Sequence, residues 1–140
     1  MKNISHKIIF FISGLGVTLI LFSFITQKNN ALQESIKRGE SIYAINCASC
    51  HMQDGNGVSG VYPPVANADY FMADTKRAIR QIKNGVKGEI KVNDIVYNVA
   101  MVGVPLTDIQ LADVMNYMRN TWGNKGKMIT EKEVKAALQK

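Results

Sequence analysis

The sequence predicts an all-α domain of about three core helices with one small β-hairpin, preceded by an apolar membrane helix. Three observations predict it. Apolar residues recur at helical spacing in three separate stretches, two of them opened by capping signals. Between these stretches lie long connections rich in Gly and Pro, which weaken a small domain unless something else fills its centre. The first 27 residues carry no acidic group, and Ile8 to Ile25 carries no charge at all.

Ile8 to Ile25 reads IIFFISGLGVTLILFSFI. As a helix it is about 27 Å long, close to the hydrocarbon thickness of a bilayer. It has no polar face, which argues against a buried core helix. Lys2 and Lys7 precede it, so the positive-inside rule places the N-terminus in the cytoplasm and the remainder outside. No A-x-A pattern follows, so residues 1–27 read as an uncleaved anchor in preference to a removed signal. The expected location is the cytoplasmic membrane, single-pass, with the soluble domain facing the periplasm. Residues 28–34 are a polar tether.

The domain proper is expected at 35–124. A first helix is predicted from about Gln33 to Asn46, with Ile36, Gly39 and Tyr43 on one face and Cys47 continuing it. Met52 to Asn67 is an irregular loop, since Pro63 and Pro64 forbid a helix there. A second helix starts with Asp74 or Thr75 as N-cap and stops at Gly85, burying Ala78, Ile79 and Ile82. Two short alternating runs then flank Asn93-Asp94, a pair that tolerates positive φ, which predicts a hairpin. In the third helix Thr107 and Gln110 form a capping box. Its buried stripe is Leu111, Val114, Met115, Met118 and Trp122, and Gly123 ends it. Residues 125–140 read as a tail with a short helix opened by Thr130 and Glu133, taken as solvated in preference to a contact element.

The chemistry concentrates in INCASCHMQDG, Ile45 to Gly55. The chain has two cysteines and two histidines, and three of these four lie within five residues. Cys47-Ala48-Ser49-Cys50-His51 is C-x-x-C-H, the haem attachment signature. Thiols three apart can each add to one vinyl group of a porphyrin, and the adjacent imidazole can then coordinate the iron. A thioredoxin-type pair wants a βαβ setting with the first Cys opening a helix, whereas this motif closes one. A disulfide across two residues closes a tiny loop and stabilises little. A zinc site lacks a fourth ligand, because the other histidine is His6, beyond the apolar segment.

The reading so far gives one covalent haem c, with Cys47, Cys50 and His51 as cofactor-binding residues and His51 as the proximal metal ligand. The second axial position is left to Met, Lys, Tyr or an open site. Met52 adjoins His51 and cannot reach the other face of the iron. Met115 and Met118 fall on a buried helix stripe, where packing is the ordinary role. Met72 and Met101 remain, and Met101 is favoured because its irregular segment can bring sulfur over the iron. His/Met ligation fills both axial positions, which suits electron transfer rather than substrate binding.

These residues resemble the single-haem class I cytochromes c over about Ser35 to Asn124. RGESIYAINCASCHMQDGNGVSGVYPPVA is similar to that family's N-terminal half, and LTDIQLADVMNYMRNTWGN to its C-terminal helix. The resemblance implies that Gly39 and Tyr43 pack on the C-terminal helix and that Met101 is the axial sulfur. It also implies that Pro64 supplies the carbonyl receiving the hydrogen bond of His51, which would fix the ring tautomer. The family usually reads Met-Pro at the axial ligand. This chain reads Met101-Val102, without the φ restraint of proline.

The run YPPVANADYFMAD and the hairpin region are similar to small cytochromes that serve terminal oxidases, or stand beside copper nitrite reductases and dehydrogenases. The implied function is one-electron carriage in a respiratory chain, without enzymatic activity of its own. The implied donor is a quinol-oxidising complex and the acceptor a terminal oxidase or nitrite reductase. Two alternatives stand beside it: an open-site haem protein acting as peroxidase or gas sensor, and a fixed haem subunit of a larger oxidoreductase. From Lys28 onward the chain has 15 basic and 11 acidic residues, a net charge of +4. Lys76, Arg77, Arg80, Lys83 and Lys87 form either a docking face for an acidic partner or a solvated helix face, and Arg80 is also a candidate for a haem propionate. No basic run interleaves with aromatics, so nucleic acid is set aside.

Overall fold

A computed structural model of the chain describes residues 30–139. The expected membrane segment lies outside these residues. Among them no helix is long and apolar enough to cross a membrane. A compact unit spans Glu34–Lys140, and the contacts described belong to it. Helix α1 covers 30–46. It is followed by the single turn α2 (Ala48–His51), the short α3 (Asp69–Ala73) and α4 (Thr75–Asn84). Four short strands come next: β1 (Gly85–Val86), β2 (Ile90–Val92), β3 (Ile95–Tyr97) and β4 (Met101–Val102). Helices α5 (Asp108–Met118) and α6 (Glu131–Leu138) complete the domain, which is mostly helical.

Helix α5 is the hub. All residues from Leu111 to Met118 are buried, so it is wrapped on several sides rather than packed along one stripe. Helix α1 crosses it at Gly39, where an added Cβ would lie 2.0 Å from the Asp113 carbonyl oxygen. That contact is fixed by a polar clasp. Ser35 Oγ donates to Asp113 at 2.6 Å, and Arg38 meets the same carboxylate with two bonds of 2.7 and 2.8 Å. Tyr43, Tyr117 and Trp122 then cluster, with ring centroids 5.0 to 5.4 Å apart.

The expected α4 is found with Asp74 as N-cap, accepting from the Arg77 amide, and with Ala78, Ile79 and Ile82 buried. The hairpin pairs Val92 with Ile95 across Asn93-Asp94, whose φ values are 48° and 64°. Both capping boxes form, Thr107 with Gln110 and Thr130 with Glu133.

Two expectations are corrected and two features are new. Helix α5 ends at Met118, and Trp122 leaves the helix with φ 54°; the chain turns to bring the indole onto Tyr43 and Tyr117. The tail is not a solvated appendage: Ile129, Val134 and Ala137 are buried, and α6 packs on α4 and α5. Asn116 ties it down, accepting from the Ile129 amide at 2.7 Å and donating to the Ile129 carbonyl at 2.8 Å. Helix α3 and the β1–β4 pair were not expected. Finally, three of the five basic residues are occupied. Arg77 lies over the Tyr70 ring at 3.8 Å and donates to the Tyr70 carbonyl. Arg80 donates to Ala137 O at 3.3 Å, and Lys83 donates to Leu106 O.

Candidate functional site

The C-x-x-C-H motif is shaped by the end of α1. The Cys47 amide still donates to Tyr43 O at 2.9 Å, after which the backbone shifts and α2 makes one more turn. The His51 amide donates to Cys47 O at 2.9 Å. Cys47, Cys50 and His51 are thus three and four apart on one helical turn, the spacing that puts side chains on a common face. As a free thiol Cys47 is pushed up to about 11 by burial and by the neighbouring Cys50.

The imidazole is held from behind. His51 Nδ1 is 2.8 Å from Pro63 O. A carbonyl can only accept, so Nδ1 carries the proton and Nε2 keeps its lone pair. Burial holds the His51 pKa below its ordinary value against the raising effect of that bond. The ring is therefore neutral at neutral pH, the state a metal ligand needs.

The acceptor is Pro63, not Pro64 as the resemblance implied. The loop's hydrogen bonds decide the register. Gly57 donates to His51 O at 3.0 Å, and Val58 pairs with Tyr62. Gly57 has φ 62°, and a Cβ there would lie 2.3 Å from Tyr62 O and 2.7 Å from Pro63 O. The bare glycine lets the Pro63 carbonyl come in over the ring. Pro64 instead lines the cleft wall.

In front of His51 lies a cleft with two lobes, of about 620 and 1130 Å³. Cys47, His51, Pro63, Val86, Ile90 and Met101 line both lobes. The inner lobe is closed by Val65, Phe71, Ile82, Val92 and Met118. Cys50 lines the outer lobe, which opens beside Val99, Val102 and Pro105. Sequence reasoning missed Tyr70 and Phe71 of α3 and Val86 of β1 as wall residues. The apolar pair Tyr70-Phe71 behind Asp69 was their only signal. Met118, read as core, lines the inner lobe, while Met72 lines neither.

Met101 is positioned by the unexpected strand pair. It faces Val86 across the antiparallel β1–β4 ladder, so its backbone is tied to the residues that follow α4. The Val104 amide adds a bond of 2.8 Å to Ile82 O. Gly103 allows the approach, since a Cβ there would lie 2.6 Å from Lys83 O. These bonds supply the restraint that proline would otherwise give after the methionine.

The arrangement fits a flat apolar macrocycle attached through thioethers. The walls of its inner lobe are nearly all apolar, both thiols reach the cleft, and it holds one neutral imidazole and one thioether sulfur. Among the described residues no group of three or more His, Cys, Asp or Glu could hold a bare metal ion.

Residues 36–122 match the family model for cytochrome c. The chain belongs to the cytochrome c family. It is 35% identical to cytochrome c-552 of Thermus thermophilus over 107 residues, 69% of this chain and 81% of that protein. It is 36% identical over 88 residues to the cytochrome c subunit of a quinone alcohol dehydrogenase from Gluconobacter oxydans, 61% of this chain. A gluconate 2-dehydrogenase cytochrome c subunit of Pantoea cypripedii is 31% identical over 106 residues, 73% of this chain. The chain spans only 18% and 24% of those two dehydrogenase subunits. This is an electron-transfer family whose members carry haem c covalently, and Cys47 and Cys50 are its attachment residues here.

Proposed function

We propose that this chain is a membrane-anchored, single-haem electron carrier with His51 and Met101 as the two axial ligands. The observation that carries the reading is that both side chains line the same apolar cleft, each held by backbone contacts of its own. Bound haem supplies a one-electron Fe(III)/Fe(II) couple. Pro63 O keeps the His51 proton on Nδ1, so Nε2 would be the nitrogen that holds the iron. The β1–β4 ladder keeps the Met101 sulfur at the cleft without help from proline. Apolar walls from Val65 to Met118 exclude water, which keeps the reorganisation on electron exchange small. The chain itself performs no substrate chemistry.

The uncharged run Ile8 to Ile25 supports attachment to the cytoplasmic membrane with the domain in the periplasm. The proposed donor is a quinol-oxidising complex, and the acceptor a terminal oxidase or nitrite reductase. Docking is placed at the cleft mouth. There Val99 and Val102 are 50% and 84% exposed, whereas three cations of α4 are engaged internally. Carbon monoxide tests the closed site. The reduced, haem-loaded full-length protein is expected to leave its spectrum unshifted under the gas, and Met101→Ala to shift. A shift in wild type would favour the open-site reading.

A second reading has its own support. Several relatives are named as cytochrome subunits of dehydrogenases, so the chain is alternatively a fixed haem subunit. Purification of the anchored protein from membranes decides: a stoichiometric dehydrogenase partner supports the subunit, and a free monomer the shuttle.

A further inference from the structure

A second cavity lies away from the haem cleft, between the N-terminal end of α4, the end of α5 and the loop leading to α6. It is an open hollow of about 980 Å³, and its wall carries Lys76, Arg119, Lys125 and Lys127. We propose that these four residues form a binding site for a phosphate group, either free or carried by a lipid headgroup.

Arg119 is the first reason. Its Nε and Nη1 are buried and have no hydrogen-bond partner, and no carboxylate lies within ion-pair distance of it among the described residues. Two buried guanidinium nitrogens left without an acceptor on this half-buried side chain are costly, and an anion would satisfy them. Burial alone lowers its pKa, with no opposing charge contributing. The one acid in the wall, Glu133, is already engaged, accepting from the Thr130 amide at 2.8 Å and hydroxyl at 2.7 Å.

The second reason is that the lysine-bearing loop is built, not loose. Asn124 pins its start through bonds to Met118 O at 2.7 Å and Val65 O at 2.9 Å. Asn116 pins its end at Ile129. Gly126 lies flat against the arginine, where an added Cβ would be 2.9 Å from both Arg119 Cβ and Nε. The backbone that carries Lys125 and Lys127 is therefore held beside Arg119, and both lysines line the same hollow. A planar fork among point cations is the usual way proteins hold phosphate oxygens. The hollow has room for more than a bare phosphate.

The test uses the haem-loaded full-length chain in phosphatidylcholine nanodiscs. Inorganic phosphate is titrated at ionic strength held constant with sodium chloride, and the amide signals of Lys125, Gly126 and Lys127 are followed. A parallel sample carries phosphatidylglycerol in the disc. Saturable shifts with phosphate assign a free ligand; shifts only with phosphatidylglycerol assign a headgroup. In either case the exposed double variant Lys125→Ala/Lys127→Ala weakens the response about tenfold or more. Arg119→Gln abolishes it and Arg119→Lys restores part of it. If Arg119→Gln fails to fold, the double variant decides alone. No shift with either probe, or shifts that survive in the double variant, overturns the proposal.

Discussion

Gly39→Ala tests how the fold is clamped, because here two familiar effects oppose each other and their sizes can be compared. Gly39 is inside α1, where alanine is the better helix former by about 1 kcal/mol. Against this, the new Cβ would lie 2.0 Å from Asp113 O, 2.6 Å from Asp113 C and 2.8 Å from Tyr117 Cβ. Ordinary contacts need roughly 3.5 Å, so α1 and α5 must part by about 1 Å or more. The first atoms in the way are α5 backbone, which cannot rotate aside. Parting the helices stretches the Ser35 and Arg38 bonds to Asp113 and loosens Tyr43 on Tyr117. Overpacking of this kind costs about 1 to 3 kcal/mol, occasionally more. With the added loss of the clasp, destabilisation outweighs the helix gain by about 2 kcal/mol. For a domain of this size that is a fall of about 10 °C in Tm. Thermal unfolding of the haem-loaded protein by far-ultraviolet circular dichroism reads it. A Gly39→Ala protein melting at or above wild type would refute the reasoning.

Three other outcomes are expected. Asn116→Ala removes both bonds to Ile129 and one to Ser35 Oγ, orphaning buried backbone groups; about 2 to 4 kcal/mol should be lost in chemical denaturation, with early hydrogen exchange at α6. Acid should destabilise the protein. Asp74, Asp69 and Glu133 all sit below their ordinary values because backbone amides donate to their carboxylates. A depressed folded pKa stabilises above the unfolded value and is lost as pH falls through the folded one. Through these carboxylates stability should thus decline below about pH 5, with Asp74→Asn flattening part of the decline in a pH series of melts. Tyr43→Phe removes the hydroxyl bond of 2.7 Å to Met52 O and should cost about 1 kcal/mol in the same melts.

What was legible in the sequence was whatever is encoded locally. The two Thr-led capping boxes, the Asn93-Asp94 turn and C-x-x-C-H each occupy a few adjacent residues, and each formed. What escaped depends on distant groups. Helix α3 has five residues, too few to show a period. The β1–β4 ladder joins residues 15 and 17 apart with two pairs, and nothing at Gly85 or Val102 announces it. Arg77, Arg80 and Lys83 look like a solvated face until the carbonyls of Tyr70, Ala137 and Leu106 are brought to them. Choosing Pro63 over Pro64 required the register set by Gly57. The tail did carry a signal: Val134, Ala137 and Leu138 are at helical spacing, and with Ile129 they mark a packed face.

The central claim is that His51 and Met101 close the iron of one covalently held haem. The most direct measurement is far-red absorption of the oxidised, haem-loaded protein, where sulfur-to-iron charge transfer gives a weak band. The band should be present in wild type and absent in Met101→Ala, with both proteins folded. A high-spin wild type without the band, or a band that persists in Met101→Ala, would contradict it.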